Sequence, residues 1–163
     1  MVATLFAVAL ATPTAASDDE SALSLSLGYG TYDIPDHSPH GGVLGIDYER
    51  GFSDALSLRV SGGAGAYYED GQTTYTSHVV AGMTYLFDVI KYVPYTSAGL
   101  GAIVIAGGEQ DTQVNALVEL GVGLDVLHSR AFSYGIQAKL EKFLESTAFF
   151  TAGMRVTWRW GFF

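Results

Sequence analysis

The chain ends on Val156-Thr157-Trp158-Arg159-Trp160-Gly161-Phe162-Phe163, in which aromatic and aliphatic residues alternate with Thr, Arg and Gly. Side chains of a β-strand point alternately to its two faces, so this order gives one apolar face and one small or charged face. Continued towards the N-terminus, the apolar face collects Phe150, Ala152, Met154, Val156, Trp158, Trp160 and Phe162. A last strand with such a face is typical of one that meets lipid.

The composition leaves two classes of β protein open. The 163 residues are 48% hydrophobic and only 15% charged, and this length favours a single domain. No run of about 18 apolar residues, as a membrane-spanning helix requires, follows the N-terminal segment. Only helices and closed barrels satisfy their backbone hydrogen bonds in hydrocarbon. The alternatives are therefore a soluble β protein and a membrane β-barrel.

The first 16 residues predict a secretory signal peptide. Residues 5–11 form an apolar core and Thr14-Ala15-Ala16 a small-residue cleavage site, so the barrel domain is expected at 17–163. The sequence has no cysteine, which excludes a disulfide framework and a lipid-anchored cysteine. A formal net charge of −9 argues against nucleic acid as a partner.

A period-two pattern predicts about eight strands, at 22–30, 43–51, 55–67, 74–87, 92–106, 113–127, 131–143 and 148–162. Each is long enough to cross a bilayer at the tilt of a barrel strand. The connections after the first, third and fifth strands are expected to be longer and polar, and the intervening ones tight. This asymmetry is typical of outer-membrane barrels with both termini in the periplasm. The predicted fold class is an all-β, eight-stranded antiparallel up-and-down transmembrane β-barrel.

Alternation by itself does not say which face lies inside. A soluble, lipocalin-like barrel would turn the apolar face inward. Here the polar face is rich in Gly, Ser and Thr, the apolar face is nearly continuous, and aromatic residues sit at strand ends. These features favour a barrel whose apolar face points outward. One interfacial girdle is expected from Phe52, Phe87, Phe132, Trp158, Trp160 and Phe162, and the other from Tyr29, Tyr68, Tyr75 and Phe150.

Over its whole mature length the chain resembles the small eight-stranded outer-membrane barrels of Gram-negative bacteria, of the OmpA transmembrane-domain and OmpX type. The resemblance rests on the phenylalanine-terminated last strand, on Pro94-Tyr95-Thr96-Ser97-Ala98-Gly99-Leu100-Gly101 and on Leu120-Gly121-Val122-Gly123-Leu124-Asp125. It implies a monomer in the bacterial outer membrane that contacts lipids and lipopolysaccharide, and whose C-terminal aromatic is read by the barrel-assembly machinery. No cofactor is implied. One departure is that the apolar face falls on Phe162, not on Phe163.

Charged residues on the inner face are expected to fill the lumen. Eight strands enclose a space just wide enough for side chains. The turn positions predict Asp47 opposite Arg59, and Glu119 opposite Lys139. Buried charges persist only when paired, so we interpret the set as structural ion pairs. The inner face also carries Glu49, His78, Asp125, Glu141, Arg155 and Arg159, of which His78 is expected to be hydrogen-bonded.

Residues with catalytic or metal-binding chemistry form weak patterns. Members of this barrel class that modify lipid A need a His, a Ser and an acid together, whereas His128 and Ser129 are adjacent and so point to opposite faces. No enzyme is predicted. In the first loop Asp36, His37 and His40 offer metal ligands without a constrained third one, so a polar turn is the simpler interpretation. Acidic loops that bind divalent cations shared with lipopolysaccharide phosphates are a further alternative.

The sequence therefore predicts a structural or surface-interaction barrel with a lumen plugged by charge and no catalysis. The alternative is a narrow, porin-like pore or a lateral path for small apolar molecules, as in OmpW-like barrels. A lipid-modifying enzyme is the third class. The lumen discriminates among them, because transport needs an open or apolar interior.

Overall fold

The computed structural model describes residues 20–33, 38–69, 71–87, 91–107, 110–143 and 147–161, with residues 110, 111 and 143 described by their backbone alone. The predicted signal peptide at 1–16 and Phe162 lie outside these ranges. No helix in the described part of the chain is long and apolar enough to cross a membrane. The strands are β1 Ser21–Tyr32, β2 His40–Gly51, β3 Leu56–Glu69, β4 Gln72–Leu86, β5 Tyr92–Gly107, β6 Gln110–Leu127, β7 Phe132–Phe143 and β8 Ala148–Trp160.

The eight strands form one closed antiparallel barrel in sequence order. Each strand pairs with its neighbour along the chain, and β8 returns to pair with β1 from Ser21 opposite Trp160 to Tyr32 opposite Phe149. Closure leaves no strand edge unpaired, which removes the usual site of edge-to-edge aggregation. The predicted fold class is confirmed.

The barrel has two ends, which we name by the chain termini. The terminal end is where β1 begins and β8 ends, and it carries the connections 52–55, 87–91 and 128–131. The distal end carries 33–39, 70–71, 108–109 and 144–147. Strand positions agree with the sequence predictions to within a few residues.

The expectation of longer connections after the third and fifth strands was wrong. Both are two-residue hairpins, because β3, β4, β5 and β6 continue pairing beyond their apolar segments. Gly71 adopts a φ of 83°, the left-handed conformation that tight hairpins require. Gly107, at 105°, lies at the register shift that ends the β5–β6 ladder.

The apolar face points outward, as expected for a barrel in lipid. Leu100 is 69% exposed in the middle of β5, although exposed leucine is unfavourable in water. The terminal girdle is exposed at Phe52, Phe87, Trp158 and Trp160, and Phe132 is half-buried. The distal girdle is exposed at Tyr29, Tyr68, Tyr75 and Phe150. Between them run Leu25, Leu27, Leu44, Ile46, Leu58, Val60, Val79, Leu120, Val122, Ile136 and Met154.

An apolar plug fills the distal part of the lumen. Its aromatic centre is formed by Phe149, whose ring stacks on Tyr32 at 4.5 Å and meets Tyr67 edge-on at 5.6 Å. Six buried residues make up the plug, namely Val43, Tyr67, Val80, Ile103, Leu117 and Phe149. No sequence pattern predicted this plug.

Glycines on the inner wall give these side chains the space they occupy. A β-carbon on Gly123 would lie 2.3 Å from the Tyr95 ring, and one on Gly63 would lie 2.6 Å from the His78 ring. Large inner side chains therefore lie directly over glycines of neighbouring strands. Such pairing fills a lumen that is too narrow for large residues on every strand.

Candidate functional site in the barrel lumen

The lower network, next to the terminal end, consists of Glu49, Asp125, Arg155 and Arg159. Arg155 lies between two carboxylates, with Nη2 3.2 Å from Glu49 Oε1 and Nε 3.5 Å from Asp125 Oδ1. Arg159 Nη2 contacts Asp125 Oδ2 at 3.2 Å. At the rim Arg159 also reaches Glu20 Oε1, at 3.6 Å. Burial raises the pKa of the Glu20 carboxyl above its usual range, and Arg159 opposes that effect.

The upper network, deeper in the lumen, consists of Asp47, Arg59, Glu119 and Lys139. Arg59 Nη2 donates to Glu119 Oε1, and Arg59 Nη1 lies 3.6 Å from Asp47 Oδ1. Lys139 Nζ donates to Asp47 Oδ1 at 3.1 Å and lies 3.9 Å from Glu119 Oε2. All four residues are buried, so the lumen at this level is closed by paired charges.

The predicted cross-strand registers were wrong by two residues. Asp47 lies opposite Ser61, and Arg59 lies opposite Glu49. Likewise Glu119 lies opposite Glu141, while Lys139 faces a glycine. Each turn is centred one residue later than assumed, and a shift of two residues keeps every side chain on its face. The predicted partners still contact each other diagonally, because Arg and Lys are long enough to span that distance.

Hydroxyl groups and one aromatic ring complete the lower network, and none of them was predicted from the sequence. Thr157 and Ser133 donate to Asp125 Oδ2 at 3.4 and 3.2 Å. The Arg155 guanidinium lies over the Tyr95 ring, 4.5 Å from its centroid, as in a cation–π contact. The alternation along each strand could have placed these residues in the lumen, because all of them alternate with outward-facing apolar residues.

His78 lies on β4, and its cross-strand neighbour on β5 is the plug residue Ile103. Its Nε2 atom is 3.5 Å from Glu141 Oε1, which is longer than a normal hydrogen bond of about 3 Å. The expected hydrogen bond is therefore not formed with Glu141. Both side chains are mostly buried, at 8% and 6% exposure.

The remaining candidate residues that the structure describes are not brought together. Asp36 and His37 lie outside the described residues. His40 is exposed and stacks on Tyr29 at 6.1 Å. His128 and Ser129 are exposed in the β6–β7 connection, where the His128 ring packs edge-on against Phe132 at 6.4 Å. Within the described ranges no histidine nitrogen is hydrogen-bonded to a serine hydroxyl.

Solved structures share this barrel, although no family model matches the sequence and no curated protein is similar enough to match. Neisserial surface protein A superposes with a TM-score of 0.75 at 13% identity, covering 85% of this chain and 96% of that one. Ail of Yersinia pestis gives 0.62 at 15%, covering 88% and 99%. The outer membrane enzyme PagL gives 0.56 at 15%, covering 83% and 97%.

The chain thus has the fold of the small eight-stranded outer-membrane β-barrels, as its sequence resemblance implies. At these identities the likeness establishes the fold and leaves the activity open, because one barrel fold carries several functions.

Proposed function

We propose that the protein is a structural and surface-interaction barrel of the bacterial outer membrane, with both termini in the periplasm and no catalysis of its own. The filled lumen is the observation that carries this proposal. Two ion-pair networks and the apolar plug occupy the interior, while the outer wall is apolar between two aromatic girdles. A wall of this kind stabilises the chain only in lipid.

In this proposal the partners are outer-membrane lipids and lipopolysaccharide around the wall, and the barrel-assembly machinery during biogenesis. The barrel acts as a monomer, since closure satisfies all eight strands within one chain. Surface contacts of the distal end are made chiefly through 33–39, the longest of its connections. The connections at 70–71 and 108–109 have only two residues each.

The arrangement of the lumen favours this proposal over the pore. A conducting path has to pass Arg59, Lys139 and their carboxylates, all of them buried and paired. It then has to pass Phe149, Ile103 and Leu117, which are 1 to 2% exposed. Against an enzyme of the lipid-modifying class stands the position of His128 and Ser129 in an exposed connection.

Two measurements on the folded barrel test the proposal. Unheated protein should migrate differently from boiled protein on SDS gels, because a closed ladder without edges resists detergent. Proteoliposomes should swell in small sugars no faster than protein-free liposomes, with a known porin as the positive control. Identical gel mobility and recovery in the soluble periplasmic fraction would favour the lipocalin-like barrel, and rapid swelling would establish the pore.

A further inference from the structure

The described part of the lumen holds one carboxylate more than it has permanent cations. The lower network is balanced, with two carboxylates and two guanidinium groups. In and beside the upper network, the three carboxylates Asp47, Glu119 and Glu141 outnumber the two cations Arg59 and Lys139. Glu141 lies directly opposite Glu119 in the β6–β7 ladder, a like-charge pair that is destabilising unless compensated. The surplus is therefore located at these two glutamates.

His78 approaches the same two glutamates from β4. Single ligand atoms of His78, Glu119 and Glu141 all lie within 4.8 Å of one another. The separation of 3.5 Å between His78 Nε2 and Glu141 Oε1 is long for a hydrogen bond. It is close to the roughly 3.4 Å between two ligands that each bind a tetrahedral ion at about 2.1 Å.

A second, independent observation concerns Glu119, whose side chain is 0% exposed. Its Oε1 atom accepts a hydrogen bond from Arg59, whereas Oε2 has no hydrogen-bond partner among the described residues. Lys139 Nζ lies 3.9 Å from Oε2, and that group donates to Asp47. A buried carboxylate oxygen without a donor is costly. It is also an oxygen that remains available as a metal ligand.

We propose that His78, Glu119 and Glu141 bind one divalent first-row transition metal ion, with Zn²⁺ as the probe. One imidazole nitrogen and two carboxylate oxygens suit this class of ion, whereas Mg²⁺ and Ca²⁺ take oxygen ligands. The ion places positive charge between the two opposed glutamates, where the surplus carboxylate lies. It also links β4 to β6 and β7 across the lumen, whereas within the wall β5 lies between β4 and β6. The link therefore stabilises the closed barrel.

Two residues of the apolar plug lie beside the site. Ile103 is the cross-strand neighbour of His78, and Phe149 is that of Glu141. Both plug residues are 1% exposed. The ion is therefore taken up while the barrel folds, and it exchanges slowly once the barrel is closed.

The experiment follows metal uptake during refolding. The full chain is unfolded in denaturant with a chelator, freed of chelator, refolded in detergent with Zn²⁺ and desalted. Folded wild-type barrel should retain one zinc per chain by elemental analysis, and His78→Gln and Glu141→Gln should retain almost none. Refolding with Co²⁺ should give visible d–d absorption in the wild type that is absent from His78→Gln.

The matched control is the double variant His37→Gln/His40→Gln, which removes the exposed His40 and its neighbour in the 33–39 connection and should retain zinc as the wild type does. The difference in gel mobility between unheated and boiled samples identifies folded barrel, and only folded barrel is compared. If His78→Gln does not fold, Glu141→Gln provides the test. Folded wild type without zinc overturns the proposal. Zinc retained by both lumen variants, or lost from the loop control, also overturns it, because the ion then sits on the surface.

Discussion

Single residues in this barrel are matched to partners that lie far away in the sequence. Arg59 contacts Glu119 across 60 residues, and Lys139 contacts Asp47 across 92. These contacts cross the lumen, so the compensation of each charge depends on the closed barrel. Removing one partner leaves a buried charge without compensation, which costs more than the ion pair itself contributes.

The variant Lys139→Met should lower the free energy of unfolding by about 3 to 5 kcal/mol, because it leaves Asp47 with only the longer contact to Arg59. The double variant Asp47→Asn/Lys139→Met removes both charges and should recover much of the loss. Urea unfolding in lipid vesicles, followed by tryptophan fluorescence, measures both. A harmless Lys139→Met with an additive double variant would mean that the charges are hydrated independently, and the pore would become the better proposal.

The variant Gly123→Ala should also destabilise the barrel, by about 1 to 3 kcal/mol, as overpacking of a filled interior does. The new methyl group would meet the Tyr95 ring, which is held between Arg155 and Gln137. Gly42→Ala is the matched control, since nothing lies within 4 Å of its new β-carbon. Equal unfolding midpoints for the two variants would show that the Tyr95 ring moves aside freely.

Among the elements, β8 is the strand that closes the barrel. It pairs with β7 on one side and with β1 on the other. Its inner face supplies Arg155, Thr157 and Arg159 to the lower network, and its outer face supplies Trp158 and Trp160 to the terminal girdle. The barrel cannot close before this strand is in place.

Deleting Phe162 and Phe163 should lower the yield of barrel in the outer membrane far more than deleting Pro35 and Asp36. The family resemblance implies that the C-terminal aromatic is read during assembly, and the terminal strand anchors the chain at the interface. Membrane fractionation with quantitative immunoblotting compares the two deletions. Equal yields would remove the argument that this C-terminus is a targeting feature.

As a whole molecule, the protein inverts the usual distribution of a soluble barrel. Charged and polar residues such as Asp47, Arg59 and Glu119 are buried in the lumen, and large apolar residues cover the outside. The strands have 12 to 18 residues, more than the roughly 9 to 11 that a bilayer requires. The strand residues beyond that number extend the hairpins at the distal end.

The destabilisation caused by an arginine on the outer wall should depend on the depth of that position in the bilayer. Leu100 and Val114 are both 69% exposed, but Leu100 lies in mid-strand and Val114 lies near the distal end of β6. In lipid vesicles Leu100→Arg should cost about 2 to 4 kcal/mol and Val114→Arg at most about 1 kcal/mol. Folding titrations in urea give both values. Equal costs would show that this face does not meet the hydrocarbon core.

The sequence by itself determined which residues form strands and which of their two faces is apolar. Alternation is a local property that follows from the geometry of an extended chain, so Leu25, Leu120 and Val156 could be assigned without knowledge of their neighbours. The same alternation placed Asp47, Arg59 and Glu119 in the lumen.

Only the tertiary structure decided the register, the length of the distal hairpins and the partners across the lumen. Register depends on the exact centre of each turn, and an error of one residue there moved Arg59 from Asp47 to Glu49 without changing its face. The approach of His78 to Glu119 and Glu141 needs three strands and a closed circumference. No alternation along one strand contains that information, because such contacts are set by how the strands are staggered around the barrel.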